Sequence, residues 1–336
     1  MNTDLVSVVI PCRNEAKAIE QTIRAILDSE HPNIEVLVVD GMSEDGTRSI
    51  VGQIEQADPR VRLIDNPKNL TPYAFNLGVK NARGEFIQIV GARNVVQPDY
   101  IPILLHTLKT RPDVACVGGD YQHVYDSETG RLISLAMESK FGVGLGNYRT
   151  MGQNAYVDTV GVPMYRRSIF EKVGYFDERL TRNQDDDFNF RLRKRGYKIL
   201  YVHAAKVTYL VRGSYKKAFE QFRQYGYFKV YVNKKHGELT TLRQLAPAAF
   251  VALWVVGLPL SLFLMQVRAF LSFVALIYVG LGFTLAGWDL TFIDRFMALG
   301  ACFILHVGYG IGYWEGIWDF VVHSRSPRTD FQRQTL

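Results

Sequence analysis

Cysteine is scarce in this 336-residue sequence, and its placement excludes two roles. Cys12, Cys116 and Cys302 are scattered, with neither the spacing of a thiolate metal site nor the density of a disulfide framework. Charge is missing from two long runs, Pro247–Met265 and Ala269–Gly287, so a soluble part is expected to give way to an apolar part. The basic residues as a whole are spread along the chain rather than gathered into one stripe, which argues against nucleic acid as a partner. The formal charge of +6 then points to anionic lipid or an anionic ligand. No apolar stretch precedes the first strand. The short polar start, Met1–Asp4, is not read as a signal peptide, and the N-terminal domain is expected in the cytosol.

The stretch Val6–Glu15, VSVVIPCRNE, organises what is present. An apolar run enters Pro11 and a polar turn, Cys12–Glu15, follows at once. This predicts a buried parallel strand emptying into a loop and then a helix over Ala16–Ser29. Ligands sit beyond the carboxyl ends of such strands, so Arg13–Glu15 is the first candidate site. Strands are expected at Glu35–Asp40, Val61–Asp65 and Glu85–Val90. Between and after them, helices are expected at Thr47–Gln56 (capped by Ser43 or Asp45), at Tyr73–Arg83 (closed by Gly84) and at Pro98–Thr110. This alternation predicts an α/β fold with a doubly wound, mostly parallel sheet. Beyond it, strands are read at Val114–Tyr125 with a glycine break, Val157–Tyr165, Ile199–Val202 and Lys206–Leu210. Helices are read within Leu132–Tyr148, over Ser168–Val173 and over Asp185–Arg195.

Tyr215–Lys235 interleaves aromatic and basic residues, the pattern of a helix lying in a membrane interface. Three apolar stretches follow: Pro247–Met265, Ala269–Gly287 and Phe296–Trp314, the last with His306 inside and Glu315 beside it. The basic tail, with Arg325, Arg328 and Arg333, is expected to stay cytosolic. A cytosolic domain and a cytosolic tail need an even number of crossings, so the count is left open. The apolar part is too small, and too free of repeats, for a transporter. The expected domains are 1–214, 215–245, 246–322 and 323–336.

Four places can carry chemistry. Asp40 ends the second strand and either accepts from a ribose or base or caps the next helix. Asn183–Arg195, NQDDDFNFRLRKR, crowds Asp185, Asp186 and Asp187 together at a helix start. The helix dipole favours negative charge there, and a catalytic base needs such a carboxylate. Arg93 follows the fourth strand and is either a diphosphate partner or a surface arginine. Arg212, before Gly213–Ser214, is either part of a lid over phosphates or a linker residue. His123 and His203 read as buried, hydrogen-bonded residues.

Six motifs in this order resemble glycosyltransferase family 2 with its GT-A fold. The resemblance is closest to membrane-anchored members of succinoglycan-type exopolysaccharide synthesis. The motifs are VSVVIPCRNE; VVDGMSEDGT; NPKNLTPYAFNLGVKNARGE; VDTVGVPMYRRSIFEKVGYFDERL; NQDDDFNFRLRKRGYKI; and VRGS with EQFRQYGYFK. The resemblance covers nearly the whole chain. It implies an inverting transfer from a UDP- or GDP-sugar to a lipid-linked, polyprenyl-type glycan acceptor. The setting it implies is the cytosolic face of the inner membrane, in polysaccharide assembly. By that likeness Pro11, Arg13 and Glu15 line the base and ribose, and Asp40 binds the base. Asp185 takes the acceptor proton, although Gln184 stands where the family has glutamate, and Asp187 is the reserve base.

One departure bears on the cofactor. The family's two metal-binding aspartates fall on Gly91 and Arg93, and no carboxylate follows until Asp99. A manganese or magnesium ion is therefore in question, and no other cofactor is implied. Arg93, with Arg212, is expected to neutralise the leaving diphosphate instead. The alternative is a donor-binding or scaffold subunit of a glycan-synthesis complex without catalysis.

Overall fold

The computed structural model describes residues 4–144, 147–211, 213–285 and 290–328. The leading strand forms where β-branched residues dictate it: β1 (Val6–Cys12) is buried on both faces, as is β2 (Ile34–Asp40). α1 (Ile19–Leu27) lies between them and α2 (Thr47–Ala57) leads to β3 (Val61–Asp65). Next come α3 (Thr71–Asn81), β4 (Phe86–Ile89), β5 (Asn94–Val96), α4 (Tyr100–Thr110) and β6 (Val114–Tyr125). Two helices, α5 (Glu128–Glu138) and α6 (Lys140–Val143), interrupt the sheet elements. The sheet resumes with β7 (Ala155–Tyr156), β8 (Gly161–Arg166), α7 (Ser168–Val173), α8 (Gln184–Lys194) and β9 (Lys198–Val211). Four long helices end the described chain: α9 (Tyr215–His236), α10 (Leu245–Ser261), α11 (Met265–Leu285) and α12 (Phe292–Gly316).

The sheet order is β3-β2-β1-β4-β8-β6-β9-β5, with β7 on β9. The half from β3 to β4 is parallel, as the alternation predicted. β8 runs antiparallel to β4 and β6, and β5 and β7 run antiparallel to β9. The chain divides into two units. One joins the residues up to His123 with Met151–Leu210. The other joins Val124–Thr150 with the chain from Val211.

At the amino end of the sheet, the Ser7 hydroxyl and the Arg83 backbone and guanidinium donate to the buried Glu35 carboxylate at 2.6–2.8 Å. Burial pushes that carboxyl up, but these bonds outweigh it and hold it below the usual range.

Several expectations are corrected. Gly84 does not close α3, whose last cap is Ala82 in an extended conformation. Glycine is needed there because an added Cβ would lie 2.5 Å from the Leu5 carbonyl oxygen. Neither Ser43 nor Asp45 stands at the cap position of α2; that is Gly46, at φ +96°. α1 starts at Ile19 rather than Ala16: residues 16–18 form a turn in which the Glu15 carbonyl accepts from both the Ala18 and Ile19 amides at 2.9 Å, and Ala18 has φ −126°. The two short strands expected after Tyr197 are one strand, β9. No glycine or proline interrupts it, and it pairs with β7 at Tyr201 and with β5 at Tyr209.

α10 with the turn before it (Leu242–Ser261), α11, and α12 with its extension to Val322 are long and apolar enough to cross a membrane. α9 spans nearly the range predicted for the interfacial helix, but Phe222, Tyr227 and Phe228 on it are buried.

α3 lies close on the sheet at Gly78, where an added Cβ would meet Val9 Cγ1 at 2.2 Å. Gly78→Ala is expected to cost about 1–3 kcal/mol through overpacking. Gly52→Ala in α2, with no atom within 4 Å of its added Cβ, is expected to gain about 0.5–1 kcal/mol. Thermal melts of the detergent-solubilised protein should move in opposite directions. Shifts of the same sign would contradict this packing.

Candidate active site

In-register pairing of β1 and β2 sets Cys12 opposite Asp40 at their carboxyl ends. Burial and the Asp40 charge push the Cys12 thiol up, so it stays protonated and donates to Asp40 Oδ1 at 3.5 Å. Asp40 Oδ1 also accepts from the Ser43 hydroxyl at 2.5 Å. Its Oδ2 accepts from the Ser43 amide and from Arg48 Nη1, both at 2.9 Å. Arg48 continues to Asp65 at 2.8 Å. Asp40 is wholly buried, so it pegs the second loop from beneath rather than facing solvent.

Side chains of that second loop capture the amides of the first. Asn14, at φ +53°, donates to Ser43 Oγ, and Glu15 donates to Thr47 Oγ1, both at 2.8 Å. Ala16 donates to Asp45 Oδ2 at 3.1 Å, and Asn14 Oδ1 accepts from the Glu44 amide at 2.9 Å. Burial pushes the Asp45 carboxyl up. The Thr47 hydroxyl and the Ala16 and Thr47 amides outweigh it and hold the carboxyl below its usual range. The contribution of Asp45 is therefore present above about pH 3.9 and is lost as pH falls through the lower folded value.

The two loops frame two guanidinium groups in different states. Arg93 Nε donates to Glu15 Oε2 at 2.6 Å, in a pair that is 28% and 14% exposed. Arg13 Nε is buried and donates to no partner among the described residues. Thr22 Oγ1, on α1, holds the Ala92 carbonyl at 2.9 Å and so fixes the loop carrying Arg93. Arg212 lies outside the described residues.

α8 sorts the three acids. Asn183 precedes it at φ +58°, and Phe188 packs among Tyr165, Phe170 and Phe176 at 4.7–5.3 Å between rings. Asp187 is wholly buried, and its Oδ2 accepts from Arg191 Nε at 3.1 Å. Arg191 itself is tied to the Val173 and Tyr175 carbonyls at 2.7 Å. Asp187 thus holds the helix in place, whereas Asp185 and Asp186 are half-buried. Burial pushes the Cys116 thiol and the Tyr165 phenol up, and the Asp185 charge adds to both. Gln184 Oε1 is buried and accepts from no donor among the described residues.

Two features escape the sequence reading. Val162 has φ +44°, a strained geometry for a β-branched residue, worth about 1–3 kcal/mol. Tyr100 Oη and Gln88 Nε2 hold its carbonyl, both at 2.8 Å. Nothing in a valine codon announces this. The second is a polar cluster on β6 and β9. Asp120 accepts from Tyr201 Oη at 2.6 Å and Lys206 Nζ at 2.8 Å. His203 joins it with a side chain 43% exposed, so the expectation of a buried His203 is corrected.

A divalent cation fits this donor set poorly. Among the described residues no group of three or more His, Cys, Asp or Glu side chains is arranged to hold one. The loop after β4 offers Gly91, Ala92 and a guanidinium, and the nearest acid, Glu15, is already paired with that guanidinium.

Comparisons with known proteins agree on a family. The model of "Glycosyl transferase family 2" matches residues 7–174. The "Succinoglycan biosynthesis protein ExoA" of Rhizobium meliloti (strain 1021) is 30% identical over 330 residues, covering 93% of this chain and 95% of that one. A Methanococcus voltae protein named as a dolichyl N-acetyl-alpha-D-glucosaminyl phosphate 3-beta-D-2,3-diacetamido-2,3-dideoxy-beta-D-glucuronosyltransferase is 28% identical over 232 residues. That match covers 66% of this chain and 72% of the relative. Among solved structures, the mannosyltransferase PcManGT from Pyrobaculum calidifontis, in complex with GDP-Man and Mn2+, shares the fold. Its TM-score is 0.60 at 18% identity, over 93% of this chain and 87% of that one.

Asp45→Ala removes one of the acceptors that join the two loops, and the one that also holds Thr47. Hydrogen exchange at neutral pH should then speed up at residues 14–16 by about tenfold or more, while β1 keeps its protection. Unchanged exchange would show that Asp45 does not hold the loops together.

Proposed function

Because this chain belongs to glycosyl transferase family 2, we propose that it is an inverting, metal-independent glycosyltransferase acting on a lipid-linked acceptor at the cytosolic face of the inner membrane. The coarser statement stands on the family: it is a glycosyltransferase of polysaccharide biosynthesis using a nucleotide-sugar donor. Retention of a half-buried acid at the head of α8 favours transfer over a purely donor-binding role. The name of the Methanococcus voltae relative, a dolichyl-phosphate sugar transferase, supports the lipid-linked acceptor.

The donor nucleoside occupies the cleft at Pro11, Arg13 and Glu15. Asp40, with its oxygens taken by Ser43 and Arg48, shapes the turn that meets the base. Asp185 takes the acceptor hydroxyl proton as that oxygen bonds to the anomeric carbon. The bond from the anomeric carbon to the diphosphate breaks, and the nucleoside diphosphate leaves with the electron pair on the opposite face. Arg13, whose buried Nε has no partner among the described residues, and Arg93 supply positive charge to the leaving group. The observation that carries this reading is the sorting of the acids: Asp187 is wholly buried in an ion pair with Arg191, whereas Asp185 is only half-buried.

Asp185→Asn is expected to lower kcat by about 10²–10⁴-fold while donor Kd changes little. Unchanged transfer in purified membranes would end the assignment. Transfer is also expected to persist in EDTA, and Arg93→Ala to lower kcat about 10²-fold with no rescue by manganese. Activity abolished by EDTA and restored by manganese would reject the metal-independent step.

A further inference from the structure

Of the three apolar helices, α12 is covered differently. Half of its apolar window is buried inside the protein, against 17% for α10 and 11% for α11. The start of α10 packs on it at Gly310, where an added Cβ would stand 2.4 Å from the Pro247 carbonyl oxygen and 2.5 Å from Val251 Cγ2, and polar contacts hold it at both ends and the middle. At its start Asp294 pairs with Arg131 of α5, which also holds Glu128. In the middle, His306 Nε2 meets the Phe141 carbonyl of α6 at 3.0 Å. Its second half lies on α9. Added Cβ atoms at Gly308, Gly312 and Gly316 would stand 2.8, 1.8 and 2.7 Å from the carbonyl oxygens of Phe219, Arg223 and Tyr227. The two helices therefore run parallel, backbone against backbone. Arg223 forks onto Glu315 at 2.6 and 2.8 Å. The buried Asp319 accepts from Tyr227 Oη at 3.0 Å and Arg328 Nε at 2.5 Å.

Connectivity turns these contacts into a statement of sidedness. α5 begins two residues after β6, and α9 begins three residues after β9. No apolar segment intervenes, so α5 and α9 are both on the sheet's side of the membrane. α12 touches α5 at Asp294 and α9 at Glu315, 21 residues later. At 1.5 Å per residue those contacts are about 31 Å apart, the full thickness of a hydrocarbon core. A crossing α12 would leave one of the two polar helices in the wrong compartment.

We infer that α12 lies along the cytosol-side surface of the membrane and does not cross it. Its uncovered face carries Ile293, Phe296, Met297, Phe303, Trp314 and Trp318, each 40–68% exposed. That apolar stripe, with tryptophans toward one end, fits the boundary between head groups and acyl chains. Phe250 of α10 and Tyr278 of α11 pack on Phe303, at 6.1 and 6.3 Å between rings, so the stripe adjoins the exposed apolar hairpin. Lipid is the occupant, and the α10–α11 hairpin is the deeply inserted element among the described residues. The sheet and residues 323–328 then share one face.

Depth measurements test this without any readout of catalysis. Phe296→Cys, Phe303→Cys and Trp318→Cys, each in the full chain, would carry a bimane label in phosphatidylethanolamine–phosphatidylglycerol vesicles. Nitroxides at shallow and deep acyl positions would quench it. A surface helix gives shallow-to-deep ratios that agree within about two-fold at all three positions. Phe303 quenched chiefly from the deep position, with the other two shallow, overturns the inference. Gln56→Cys on the sheet unit and Ser326→Cys on the tail should also react with an impermeant maleimide from the same side of sealed vesicles. Reaction from opposite sides overturns it independently.

Discussion

The in-register pairing of β1 with β2 is the constraint on which the rest depends. It sets Cys12 beside Asp40, and everything in the two loops follows from that edge. A slip of one residue would turn Asp40 to the other face of the sheet and put its charge into the apolar core. The second loop, wound on Asp40 through Ser43 and Arg48, presents Ser43, Asp45 and Thr47 as acceptors. The amides of Asn14, Glu15 and Ala16 donate to them. A position in one strand thus decides where Arg13 and Glu15 stand.

Electrostatics then separate the cations. Arg93 and Glu15 form a close pair, so the loop after β4 is locally near neutral when empty. Arg13 Nε is buried and donates to no partner among the described residues. Planar guanidinium groups suit diphosphate oxygens, and they need no oxygen-ligand cage. Divalent ions do need one, and neither Gly91 nor Arg93 supplies a side-chain oxygen.

Much of the fold was legible because its causes are local. The β-branched runs at Val6–Ile10 and Glu35–Val39 and the acid-headed α8 follow from periodicity and helix-end electrostatics. What the sequence hid is non-local. Gly84 reads as a helix end, yet its role is close approach to the Leu5 carbonyl. Asp40 reads as either a ribose or base ligand or a helix cap, yet it is wholly buried with three partners on its oxygens. His203 reads as a core residue, yet it joins a half-open cluster with Asp120 and Lys206. The strain at Val162 needs Tyr100 and Gln88 to sustain it, and these lie 62 and 74 residues away.

The acids of α8 show how one helix start can serve two ends. The dipole lowers the cost of negative charge at the first turn, but it acts on all three carboxylates alike. Their fates are set by rotation about the axis. Residue 187 is wholly buried, where a lone charge would be untenable, and Arg191 one turn later compensates it. Residue 185 lies 200° away on the same turn, toward Cys116 and Tyr165, whose groups both feel its charge. Fixing Asp187 in an ion pair immobilises the helix start, and that immobility is what the base proposed at Asp185 would require.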